Sequence, residues 1–215
     1  MRIIFVGTSN FGVPILRQLE YSNNNVLAVV TQPDRPSGRG KKMKASPIKK
    51  MAQECKLNIL QPEKINSPSF IQKLVTLEPD LVILVAYGQI LSKDVLNIPK
   101  VGCLNIHPSL LPDYKGPAPI QWALLKGEVE TGISFLFMNE KIDAGDIIYQ
   151  EKVPILPDED FNHLNKRLSL LSATRIEMII NKIKNQKFQR IKQTGKGRQY
   201  ARKLNKEDYR INWTQ

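Results

Sequence analysis

Cysteine is scarce in this chain of 215 residues. Only Cys55 and Cys103 are present, and their spacing fits no metal-ligand pattern. Cys55 falls in a polar helical stretch and Cys103 in an apolar run, so both read as free thiols in a reducing cytosol. A disulfide-stapled scaffold is thereby excluded. Long apolar runs are missing too: nothing approaches the ~20 apolar residues that a membrane helix needs. The opening MRIIFVGTSNFG has one basic residue and an apolar run of four, too short for the core of a signal peptide. The expectation is a cytoplasmic protein with no membrane partner. No internal repeat is visible. Histidine is as rare as cysteine, so an imidazole base has two candidates, His107 and His163. The dinucleotide fingerprint is also lacking. Gly7 to Gly12 reads GTSNFG, with Ser9 where a second glycine would let the backbone approach a pyrophosphate. A tight strand-to-helix turn is the better reading.

Acidic residues are absent from two stretches. Between Lys182 and Lys206 there are ten Lys or Arg and no acid, while the rest of the chain holds 22 bases against 20 acids. The net charge of +12 therefore sits largely in one place. A second acid-free cluster comprises Arg35, Arg39, Lys41, Lys42, Lys44, Lys49 and Lys50. Clustered positive charge points to a polyanionic partner, of which nucleic acid is the commonest. A solvated basic surface is the other reading.

The length suits one large domain, or one domain with a short appendage. Strand patterns at 2–6, 26–31, 58–60, 81–86 and 101–106 alternate with helical patterns at 13–19, 47–55 and 68–77. Pro47 suits the first turn of its helix, where a missing N–H costs nothing, and Ser67 is placed to cap the next. The run LVILVA at 81–86 is continuously apolar, as a strand covered on both faces should be. A loop rich in Pro, Gly and Lys runs through about Ser46. Later come strands at 132–138 and 147–153 and a long helix at 160–183, with Leu164, Leu168, Leu171, Ile176 and Ile179 on its buried side. The order predicts an α/β fold with a doubly wound, mostly parallel sheet. Ligands bind such sheets beyond the carboxyl ends of the strands. Here that selects Gly7 to Gly12, Tyr87-Gly88 and the residues after Asn105.

His163 falls in the first turn of a polar-faced helix and reads as a surface residue. His107 follows the strand at 101–106, and Asn105 shares its face because side chains alternate with period two. An amide donor beside an imidazole at a strand end suits an oxyanion and acid–base pair, or else a structural cap. Asp143 and Asp146 flank Ala144-Gly145 between the last two strands. A carboxylate held near His107 would orient its ring, although a plain turn has the same composition.

The stretch Asn105-Ile106-His107-Pro108-Ser109-Leu110-Leu111-Pro112-Asp113-Tyr114-Lys115-Gly116-Pro117-Ala118-Pro119-Ile120 resembles the signature of the folate-dependent formyltransferases. Ile142-Asp143-Ala144-Gly145-Asp146 resembles that family's second motif, and the likeness runs from residue 1 to about 213. The segment from Thr31 to Lys42, TQPDRPSGRGKK, looks like the basic insertion loop of the branch that acts on tRNA. The resemblance implies a Rossmann-like formyltransferase fold. It also implies formyl transfer from 10-formyltetrahydrofolate to the amino group of methionyl-initiator tRNA, without a metal. Asn105 would donate to the tetrahedral oxyanion. His107 would add a second donor or shuttle the proton, and Asp143 would orient His107 and help accept the amine proton. Which of the two is the working base stays open.

The same resemblance assigns Tyr87 and Gly88 to the pterin, and Ser109, Leu110, Leu111 and Pro112 to the folate side of the cleft. Arg39, Lys41, Lys42 and Lys44 would neutralise tRNA phosphates, with Arg39 the specific contact. The implied organisation is a catalytic domain at 1–185 and a basic extension at 186–215 that starts a linker. The β-barrel domain that tRNA-acting members carry next is expected to be missing, and the protein to be a monomer. Two other functions compete: a formyltransferase acting on a small amine (a sugar nucleotide or glycinamide ribonucleotide), and a truncated form that binds RNA without turnover.

Overall fold

The apolar run Leu81–Val85 forms the central strand of a seven-stranded sheet, with all five residues buried. The computed structural model describes residues 1–37, 42–195, 197 and 199–210. In chain order the elements are β1 (Arg2–Gly7), α1 (Val13–Glu20), β2 (Asn25–Val30), β3 (Arg35–Ser37), β4 (Lys42–Lys44), α2 (Pro47–Glu54), β5 (Ile59–Leu60), α3 (Pro68–Thr76), β6 (Leu81–Val85), α4 (Lys93–Leu96), β7 (Gly102–His107), α5 (Pro119–Leu125), β8 (Glu130–Phe137), β9 (Ile147–Pro154) and α6 (Phe161–Lys184). The sheet order is β5-β2-β1-β6-β7-β8-β9. The first five strands of that order are parallel, and β8 and β9 join antiparallel.

Period two along β1 explains the two layers. Ile3 and Phe5 face a core with Ile15, Leu16 and Leu19 of α1, Met51 of α2 and Leu168 of α6. Ile4 and Val6 face the opposite core with Phe70 and Leu74 of α3 and Val95 of α4. Each fully buried Leu or Ile contributes about 1.5–3 kcal/mol relative to exposure. Helix starts follow local chemistry. Ser46 Oγ accepts the Lys49 N–H at 2.9 Å, ahead of Pro47 in the first turn of α2. Asp160 caps α6 through the His163 N–H at 2.8 Å. Ser67 holds the cap position of α3 as expected, but its side chain makes no capping bond.

The chain winds outward through β2 and β5 on one side of β1, then through β6 and β7 on the other. The order therefore reverses between β1 and β6, and a crevice opens beyond their carboxyl ends.

Two expectations need revising. Strand β7 ends at His107 rather than before it, and His107 pairs with Ser134 of β8. The stretch through Ser46 is not all loop: β3 and β4 pair antiparallel, a pairing that no apolar alternation announces. Helix α5, for which no expectation was made, begins at Pro119 inside a Pro-rich motif, since proline is tolerated in the first helical turn.

Candidate active site

Strand β7 puts Asn105 and His107 on one face, as period two requires, and both line a cavity of about 490 Å³ at the carboxyl end of the sheet. They are 6% and 5% exposed. Two residues back on that face, Cys103 belongs to the core beneath. The polar pair thus begins where the apolar cover stops.

Asn105 and Asp143, 38 positions apart in the chain, come together in space. Asn105 Nδ2 donates to Asp143 Oδ1 at 2.9 Å. The backbone N–H of Gly116 donates to Asp143 Oδ2 at 2.9 Å. His107 Nδ1 lies 3.6 Å from the same oxygen. On the far side of the ring, His107 Nε2 is 2.9 Å from the carbonyl oxygen of Tyr114. A carbonyl only accepts, so Nε2 carries a proton and Nδ1 is the atom turned to the carboxylate. At 3.6 Å the approach of Nδ1 to Oδ2 is longer than a hydrogen bond, so ring and carboxylate face each other without one in this state. The Asp143 backbone is left-handed, with φ 47°. Two residues on, glycine is required: a Cβ on Gly145 would lie 1.7 Å from the Phe137 carbonyl oxygen.

Tyr87 and Gly88 line the cavity, as expected. Thr8 Oγ1 donates to the Tyr87 carbonyl at 3.0 Å. The Tyr87 hydroxyl is buried with no partner among the described residues, and burial pushes its pKa up to about 12. Ser9 Oγ, on the same wall, is also buried without a partner there. A smaller slot of about 120 Å³ shares Leu84, Asn105, Ile142 and Asp143 with the main cavity and is walled by Leu91, Leu136 and Met138.

Ser109, Leu110, Leu111 and Pro112 do not line either cavity. Their backbone is tied to the sheet. Ser134 Oγ donates to the Ser109 carbonyl at 2.6 Å and accepts the Leu111 N–H at 3.1 Å. Gln150 Nε2 donates to the Leu111 carbonyl at 2.8 Å. Buried backbone groups must be paired, and β8 and β9 supply the partners. Asp146 also stays off the cavity, with its carbonyl accepting the Phe137 N–H.

Of the basic residues assigned to tRNA, Arg39 and Lys41 lie outside the described residues, while Lys42 and Lys44 are exposed on β4. Arg35 pairs with Glu63 at 3.1 Å and Lys49 with Asp34 at 2.7 Å. His163 is exposed, as expected, and pairs with Asp160. Sequence reasoning missed the Tyr114 carbonyl, the Gly116 N–H and Gln193. The first two act through backbone. Gln193 sits in a basic stretch that offers no local signal. Among the described residues no cluster of His, Cys, Asp and Glu could hold a metal ion, and no helix is long and apolar enough to cross a membrane.

A family model for formyl transferase matches residues 1–180. A curated relative from Geobacter sulfurreducens, called methionyl-tRNA formyltransferase, is 46% identical over 214 residues, covering 100% of this chain and 68% of the relative. A relative of the same name from Thermodesulfovibrio yellowstonii is 46% identical, covering 98% of this chain and 68% of its own. Among solved structures, a phosphoribosylglycinamide formyltransferase from Anaplasma phagocytophilum aligns with TM-score 0.73 at 20% identity, over 95% of this chain and 99% of its own. An N-formyltransferase from Helicobacter canadensis, in complex with folinic acid and dTDP-3-aminofucose, aligns with TM-score 0.70 at 20% identity, over 99% and 75%. These two show the shared Rossmann-like fold.

Proposed function

The chain belongs to the formyl transferase family, and from that premise we propose that it transfers a formyl group from 10-formyltetrahydrofolate to the amino group of methionyl-initiator tRNA. One observation carries the chemistry: the Asn105 amide and the His107–Asp143 pair converge on an open cavity at the end of β7. The names of relatives at 46% and 45% identity support the acceptor.

The donor supplies the formyl carbonyl. The apolar slot between Leu91 and Met138 suits a flat heteroaromatic ring, and it opens directly onto Asn105 and Asp143. We place the pterin end there, with Tyr87 and Gly88 at its entrance. The Ser109–Pro112 run then supports the site from below.

Asn105 Nδ2 has two hydrogens. One holds Asp143, and the other is left for the oxyanion that forms when an amine adds to a formyl carbonyl. Such a donor lowers the barrier by roughly 3 kcal/mol. The His107–Asp143 unit takes the proton that the amine sheds and gives it to the departing nitrogen. Tyr114 and Gly116 keep ring and carboxylate aligned throughout. Lys42 and Lys44, together with Arg39 and Lys41, meet tRNA phosphates, which carry affinity without reading sequence. The working form is a cytoplasmic monomer.

The test is labelled formyl transfer by purified protein at low salt, with methionyl-tRNA, glycinamide ribonucleotide and an amino-sugar nucleotide as acceptors. Label on the tRNA is the expected result. Transfer only to a small amine overturns the acceptor. Salt-sensitive RNA binding with no transfer to any acceptor overturns the enzyme.

A further inference from the structure

Beyond residue 185 the chain returns to the site and touches it at two points. At the first, Gln193 Nε2 donates to the carbonyl oxygens of Asp143 at 2.8 Å and Gly145 at 2.9 Å. Both partners only accept, so the amide cannot be turned round. Two residues earlier, Ile191 and Ile147 exchange backbone hydrogen bonds of 2.9 and 2.8 Å, which pins the segment to the start of β9. The gripped loop needs such a hold. A non-glycine residue at φ 47° keeps a left-handed backbone only where its surroundings enforce it.

At the second point the Tyr114 N–H donates to Gln199 O at 2.9 Å, and the Ala118 N–H donates to Ala201 O at 3.1 Å. Ala201 is fully buried, and its N–H donates to Lys115 O at 2.6 Å. The partners here are the segment whose Tyr114 carbonyl binds His107 and whose Gly116 N–H binds Asp143. One stretch of chain therefore holds both sides of the catalytic pair: the loop that carries the carboxylate, and the backbone that orients the ring.

We propose that Gln193, with residues 191–195 and 199–201 beside it, is part of the active site, and that Gln193 is a positioning residue that sets the Asp143 carboxylate against Asn105 and His107. The family match ends at residue 180 and does not reach this segment. A strap that merely covered the sheet would be served by apolar contacts. Gln193 instead commits its amide donors to the two carbonyls that flank the turn after Asp143. The kinetic part of the inference rests on the proposed formyl transfer, while the structural part does not.

Gln193→Met keeps the size of the side chain and removes its donors. Two measurements test it. In steady-state transfer, kcat should fall about 10- to 100-fold while KM for donor and acceptor stays within about threefold, as misplacement of a reacting group demands. Placed in an Asp143→Ala background, the same change should cost less than about twofold, because it acts through Asp143. In hydrogen exchange followed by NMR, the Gly116 amide should exchange faster in the variant, since its acceptor is the Asp143 carboxylate, while amides of β1 and β6 should not change. Losses that multiply in the double variant, or an unchanged Gly116 amide, would overturn the inference. If the wild type transfers no formyl group to any acceptor, the proposed reaction fails and Gly116 exchange alone decides the strap. Gln193→Leu, which is close in size and has no donor, replaces Gln193→Met if the latter does not fold.

Discussion

Residues 35–44 and 186–206 are alike in the sequence, rich in Lys and Arg and free of acids, yet they sit differently. The first holds the β3–β4 pair, with Lys42, Met43 and Lys44 exposed and Met43 64% accessible. Its root is fixed: Asp34 accepts from Lys49 at 2.7 Å and Gln61 at 2.9 Å, bonds that hold its carboxyl below the usual range. The described residues of the second stretch lie back on the body. The Arg190 guanidinium sits 4.2 Å from the centre of the Phe137 ring and Arg202 5.0 Å from that of Trp122. Arg202 also grips Asp208 through two bonds of 2.7 and 2.6 Å. Charge does not separate the two regions; apolar and aromatic partners do. The tail interleaves Phe188 and Ala201 with its cations, and both pack against the body, while the exposed Ile191 is held by its backbone alone. The β4 side chains offer Met43 alone.

The comparison predicts that tail changes act on turnover and β4 changes act on acceptor binding. The ceiling is set by the centre itself. Asn105→Ala should cost about 10²–10³ in kcat, and Asp143→Ala at least as much, with either kind of acceptor in rapid-quench assays. Next comes Gly116→Ala. At φ 113° an added Cβ would lie 2.7 Å from Ala201 O and 2.9 Å from the Tyr200 ring, so it should unseat the tail. A stability loss of about 1–3 kcal/mol in urea titration, with a clear drop in kcat, is expected; a wild-type result would mean that the tail is not seated there. Smaller again is Lys42→Ala with Lys44→Ala. The KM for tRNA should rise at unchanged kcat, and the salt slope should fall by about one for each phosphate that is no longer neutralised. A loss of kcat instead would erase the contrast with the tail.

The smallest effect belongs to a structural pair that lies in neither region. Arg167 Nε and Nη2 bind both oxygens of Glu159 at 2.9 and 2.7 Å, and the Arg167 hydrogen bonds hold that carboxyl below its ordinary value. A carboxylate with a lowered folded pKa contributes stability above its unfolded value of about 4.3, and that contribution disappears as pH falls through the lowered one. Arg167→Leu should therefore lower Tm by a few degrees near neutrality, with the deficit shrinking towards pH 3. Partial exposure of Arg167 limits the effect to about 1 kcal/mol.

Local periodicity made much of the fold legible. Apolar runs located β1, β2, β6 and β7, and a 3.6-residue stripe located α1, α2 and α6. Period two put Asn105 and His107 on one face, and the two motifs around Asn105 and Asp143 pointed to the family. These are properties of the backbone and of neighbours a few residues apart, so the amino-acid order by itself determines them. Strand order in the sheet is not such a property. It brings β8 beside β7, and with it Asp143 to 2.9 Å from Asn105. Tertiary structure alone also tied the Ser109–Pro112 backbone to β8 and β9, because its buried polar groups had to find partners there. It placed Gln193 under Asp143 for the same reason: two loop carbonyls needed a donor, and the only clue in the sequence was a glutamine among cations.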